Sequence, residues 1–204
     1  MLVLSDINTF GNKMEEKGLT PPKLFMILLG SKAPKRNVEQ HDYFFGIAHS
    51  LKELITEIKA FWPEAGNSIH LDGWREVSYV EGYRIKVVPR SNDTPTGVKK
   101  LFFINLGGYQ SGLLYEQHYI VLSVHDERAQ AIQEAKKTLF FKTKSIKGAN
   151  SHIDEKYGID VDDIYKIEDI LNKEARKKYQ IEITESTGLP EDEIHLGYFK
   201  LDKL

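Results

Sequence analysis

The sequence contains no cysteine. That absence excludes disulfides, thiolate nucleophiles and cysteine-based zinc sites together. It accords with a reducing compartment, so the expected localisation is cytoplasmic. No run of about 18 apolar residues occurs, and no membrane partner is expected. The opening MLVLSDINTFGNKMEEKG lacks a basic stretch followed by a long apolar core, and so does not read as a signal peptide. An excess of one charge sign is missing too: 28 Lys and Arg stand against 30 Asp and Glu, for a net charge of −2. No nucleic-acid partner is expected, because phosphate binding needs clustered basic side chains. The local lysine run at Lys136, Lys137, Lys142, Lys144 and Lys147 reads as a solvated helix end and loop. P-loop, G-x-S-x-G and H-E-x-x-H motifs are absent, and Gly107-Gly108 lacks the third spaced glycine of a dinucleotide site. Neither a cofactor nor a metal is expected, and no residue is assigned as catalytic.

What is present is an internal repeat. Lys23-Leu24-Phe25-Met26-Ile27-Leu28-Leu29-Gly30 matches Lys100-Leu101-Phe102-Phe103-Ile104-Asn105-Leu106-Gly107. The same offset carries Glu39-Gln40-His41 onto Glu116-Gln117-His118. A slightly larger offset sets His70-Leu71-Asp72 against His152-Ile153-Asp154, and Tyr83-Arg84-Ile85 against Tyr165-Lys166-Ile167. Extra residues in the second copy fit the polar stretch Lys142 to Gly148, because loops accept insertions cheaply. The chain therefore divides into an N-terminal extension (1–22), a first unit (23–90), a polar linker (91–99), a second unit (100–174) and a C-terminal strand extension (175–204).

Each unit begins with a continuous apolar run ending at glycine, which reads as a buried strand. His41 to Ala48 reads as a second strand. Ser50-Leu51-Lys52-Glu53 has a capping-box pattern, followed by an apolar stripe at Leu51, Leu54, Ile55, Ile58, Phe61 and Trp62 that Pro63 ends. The second unit repeats the stripe at Ile132, Ala135, Leu139 and Phe140. Trp74 to Val80 and Tyr83 to Val88 flank Glu81-Gly82, as in a hairpin. Ile159 to Leu171 holds one strand or a short helix. Gln180 to Thr184 and Ile194 to Leu201 read as two tail strands that cover a sheet edge. The fold class is α+β: a tandem duplication of a β-β-α-β-β unit with mainly antiparallel sheet.

The repeated polar pairs are the candidate site. Residues two apart on a strand share a face, so Glu39 with His41, His70 with Asp72, Glu116 with His118, and His152 with Asp154 each form a pair. Carboxylates and imidazoles of this kind carry acid/base chemistry or bind a divalent ion. They equally serve as buried groups that hydrogen-bond one another, and this structural reading takes precedence over ligand binding and then catalysis. His118 shares its face with Ile120, Leu122 and Val124, which favours burial. Phe44, Phe45, Phe61, Trp62 and Trp74 read as core. At KLFMILLG, EQHDYFF, HLDGWREV and EGYRIKVV the sequence resembles the bacterial domain-of-unknown-function family 1543, over roughly residues 23–170. The resemblance implies a Glu-x-His-Asp strand (Glu39, His41, Asp42) and a His-x-Asp-x-Trp segment (His70, Asp72, Trp74), with one or two domain copies and no known activity. The second copy has Tyr119 and Lys156 in place of Asp42 and Trp74.

The leading expectation is a non-enzymatic binding or interaction module. Its partner would be an unidentified small molecule or protein, or a second copy of the chain in a homodimer. The alternatives are a small metal-dependent or acid/base hydrolase using the repeated pairs, and a purely structural pseudo-dimer.

Overall fold

The computed structural model describes residues 20–91, 99–109, 114–145 and 160–204. Most of the N-terminal extension, most of the linker, and His152 and Asp154 lie outside the described residues. Three antiparallel sheets build the fold. The first has the order β10-β3-β1-β2, from β1 (Lys23–Ser31), β2 (Gln40–Ala48), β3 (His70–Glu76) and β10 (His195–Lys200). The second is β7-β6-β8, from β6 (Lys100–Tyr109), β7 (Glu116–His125) and β8 (Asp160–Lys166). A smaller sheet, β4-β5-β9, joins β4 (Tyr79–Val80), β5 (Tyr83–Pro89) and β9 (Tyr179–Glu185). Helices are α1 (Ile55–Phe61), α2 (Arg128–Ser145), α3 (Ile167–Ile170) and α4 (Lys173–Lys178). The expected α+β class and antiparallel sheets are those found.

The apolar runs of β1 and β6 have a physical cause. Leu24 and Met26 face a central core that also holds Phe45, Leu101, Phe103, Leu122 and Val124 from both large sheets. Their neighbours Phe25, Ile27 and Leu29 face the other way, onto Leu54 and Ile58. Phe102, Ile104 and Leu106 likewise face Ala131 and Ala135 of α2. Each large sheet is covered on both faces, which removes the polar alternation of a half-exposed strand. Phe103 stands between Tyr43 and Phe45, at ring-centroid distances of 5.6 and 5.2 Å.

The two large sheets share a register. Gly30 pairs with His41 as Gly107 pairs with His118. The third strand enters each with a shift after the fourth apolar pair, between Leu28 and Leu29 or between Asn105 and Leu106. The ladders differ from the sequence match at one point. Gly30 faces His70 on β3, whereas Gly107 faces Asp160 on β8. Tyr83-Arg84-Ile85 also finds a different counterpart. Tyr83 pairs with Glu185 and Tyr179 with Pro89, so the similarly spelled Tyr179-Gln180-Ile181 runs antiparallel to it in a locally two-fold ladder. Tyr165 and Lys166 instead pair with β6. The segment from Ile159 to Leu171 contributes both a strand and a short helix, β8 and α3.

Local chemistry departs from expectation at the first helix. Ser50 makes no side-chain cap; Glu53 accepts the His49 amide at 3.0 Å, and a 3₁₀ turn at Leu51–Leu54 precedes α1. Phe61 is 45% exposed and lies edge-on to Phe44, so it sits at the margin of the core, while Phe44 and Phe45 are buried. Glu81 and Gly82 both have positive φ, 49° and 88°, as a type I′ hairpin turn requires.

Because one core joins both large sheets, the described fold should unfold in a single urea transition monitored by circular dichroism and fluorescence. Phe103→Ala should lower stability by about 3–5 kcal/mol through the cavity it leaves between the sheets. Two separated transitions would show that the halves are independent.

Candidate functional site

The polar pairs of the first unit converge at one end of the first large sheet. Glycine makes this possible. His41 on β2 and His70 on β3 flank Gly30 on β1. A Cβ at Gly30 would meet the Asp72 carboxylate and lie 2.6 Å from His70 Nε2. Asp72 has no partner in the β1–β3 ladder, because Leu28 pairs with Gly73 and Leu29 with Leu71. This bulge keeps Asp72 beside His70 and turns Trp74 to the helix-covered face, where its ring lies 6.1 Å from Phe25.

The contacts form a chain. His41 Nε2 lies 3.1 Å from Asp72 Oδ2, and His70 Nε2 lies 3.2 Å from both Asp72 Oδ1 and Glu39 Oε1. His70 is almost fully buried, while His41 is about half exposed. The Ser68 carbonyl lies 2.8 Å from His70 Nδ1 and fixes the proton on that nitrogen. Tyr198 of β10 lies over the imidazole at a ring distance of 4.2 Å. His70 Nε2 and Asp72 Oδ2 are buried at ion-pair distance from their neighbours, yet neither meets a partner in hydrogen-bonding geometry. Such atoms are held in place without being saturated. Among the described residues, no group of three or more His, Asp or Glu side chains is arranged to hold a metal ion.

The second unit does not reproduce this cluster within the described residues. His118 is exposed, with Nδ1 3.1 Å from Asn105 Oδ1, at the rim of the apolar face formed by Ile120, Leu122 and Val124. Glu116 pairs through its backbone with Tyr109. At the end of β2, Asp42 accepts the Tyr43 amide at 2.7 Å. Burial pushes the Asp42 carboxyl above the usual range, that bond pulls it back, and Asp163 of β8 adds a smaller upward push.

A cleft of about 400 Å³ opens beside the cluster. Met26, Leu28 and Tyr43 line it from the first large sheet, Ile120 and Leu122 from β7, and Ile194 and Leu196 from the tail. Arg75 also lines it and is half buried. Among the described residues Arg75 makes no hydrogen bond or ion pair, and burial depresses its guanidinium, partly offset by the charges of Asp192 and Glu191. Sequence reasoning named neither Arg75 nor Tyr198. Their only signal is that a charged and an aromatic side chain sit on strands otherwise assigned to core and edge.

Residues 36–87 match the family described as Domain of Unknown Function (DUF1543). The match contains Glu39, His41, His70, Asp72 and Arg75. No curated protein matches the chain. The chain is similar to a solved structure described as a protein Il1583 from Idiomarina loihiensis, with a TM-score of 0.59 and 23% identity over 88% of this chain and 98% of that one. At that identity the likeness is one of fold.

Two measurements probe the cluster. Gly30→Ala drives a methyl into the ends of Asp72 and His70, which can swing away. It should therefore shift the His41 and His70 imidazole resonances strongly while costing only about 1–3 kcal/mol in urea unfolding. Unmoved resonances would show that the cluster does not rest on the glycine. Asp42→Asn tests the edge carboxyl. A carboxyl raised on folding contributes stability below its unfolded value, and that contribution is lost as pH rises through the raised one. Asn should therefore raise Tm at pH 7 and have little effect at pH 3, by calorimetry.

Proposed function

We propose that the protein is a non-enzymatic binding module whose ligand sits in the cleft between the two large sheets. The observation that carries this reading is the lining of the cleft: apolar side chains from both sheets and the tail, with a few polar groups at its margin, the usual composition of a small-molecule site. The agreement of register between the sheets supports descent from a duplicated unit. It also supports the pseudo-dimer as the scaffold of the module, since the seam between the units supplies the cleft walls. In a thermal-shift screen of metabolites, compounds that stabilise the wild type should lose their effect in Ile120→Trp, which fills the cleft. Turnover of a compound with no stable complex would sink the reading.

A second reading, acid/base hydrolysis, draws on the His41–Asp72–His70–Glu39 chain. The half-exposed His41 would move the proton and Asp72 would orient it. His41→Ala should then reduce turnover of any substrate found by at least about a hundredfold; unchanged turnover would remove this reading.

A further inference from the structure

Arg75 is the group in the cleft that the fold leaves least explained. It projects to the central face from β3, where its backbone pairs with Met26, a residue of the central core. A half-buried guanidinium carries five N–H donors and a permanent charge. In a folded interior such a group ordinarily faces a carboxylate, because an unpaired charge away from water is costly. Arg75 has no such partner among the described residues. The acid whose charge it feels most, Asp192, is committed elsewhere: it accepts the Ser78 amide at 3.2 and 3.1 Å and the Ser78 hydroxyl at 2.6 Å. Tyr43 stands on the neighbouring wall, where burial pushes its hydroxyl up and the Arg75 charge pulls it back.

We propose that the cleft is an anion-anchored seat for a small amphipathic acid. The Arg75 guanidinium takes the carboxylate or phosphate group, and the apolar walls take the hydrocarbon body. The inference rests on the cleft reading above and names its ligand class. Guanidinium matches both oxyacids through paired N–H donors, which is why the two share one chemistry here. Met26, Leu28, Ile120, Leu122 and Leu196 offer no polar competition to an aliphatic chain. The whole molecule is slightly acidic, at −2, so attraction for an anion must be local to Arg75 rather than a property of the overall field. Asp192 and Glu191 lie close enough to disfavour a bare anion without an apolar body, which makes the body necessary for binding.

Isothermal titration calorimetry with decanoate, decyl phosphate, decanol and decylamine, each below its micelle concentration, tests the proposal on the full chain. Decanoate or decyl phosphate is expected to bind at least about tenfold more tightly than decanol, with decylamine weakest. Whichever anion binds more tightly identifies the headgroup. Arg75→Met should abolish the advantage of the anion and leave decanol unchanged. Arg75→Lys, which keeps the charge but loses the fork, should retain part of it and serves if the Met variant does not fold. Equal affinity for decanoate, decyl phosphate and decanol, or an anion preference that survives Arg75→Met, overturns the anion anchor while leaving the cleft reading standing. Failure of all four probes to bind overturns both.

Discussion

Face-to-face burial of the two large sheets is the constraint on which the rest of the structure depends. Phe103 packs between Tyr43 and Phe45, and Leu24, Met26, Leu101, Leu122 and Val124 close around it. Neither sheet could leave this face open to water, because its strands are apolar on both sides. Once the seam closes, the remaining faces are left for helices. α1 and its preceding turn cover one sheet and α2 covers the other. Polar chemistry is thereby confined to strand ends and edges.

The cluster at Gly30 shows how that confinement works. β1 is apolar along its length until the glycine, and the missing side chain there makes room for two imidazoles and a carboxylate from the flanking strands. The bulge at Asp72 is equally necessary. Without the extra residue, His70, Asp72 and Trp74 would share one face; with it, Trp74 joins the helix-side core and Arg75 turns toward the seam. One irregularity thus positions both the polar cluster and the charged wall of the cleft.

Much of this was legible from residue patterns, and the boundary of legibility has physical causes. Continuous apolar runs ending at glycine marked β1 and β6, and Glu81-Gly82 marked a hairpin turn, because burial and positive φ restrict which residues can stand there. The Glu-x-His and His-x-Asp pairs of the first unit were visible by alternation, and the fold brings all four side chains together. The third-strand correspondence was not visible. His70 has a spelled counterpart at His152, but the ladder sets Asp160 opposite Gly107. Register depends on hydrogen-bonded partners distant in sequence, and a one-residue difference moves every side chain to the other face. Ser50 illustrates a smaller limit: a capping pattern states what a side chain can do, and a 3₁₀ entry changed what Ser50 does.

The sequence by itself determined the α+β class, the internal similarity of the two units and the residue types available for chemistry, since these follow from periodicity and composition along the chain. Only the tertiary structure decided that the four polar residues of the first unit meet over Gly30. It also decided that Arg75 lines a cleft formed partly by the second unit, while the corresponding ladder position, opposite Phe103, holds Tyr165 stacked on that ring. The reason is that both outcomes depend on the seam. Which faces meet across it is settled by packing between segments far apart in the chain, and no local pattern contains that choice.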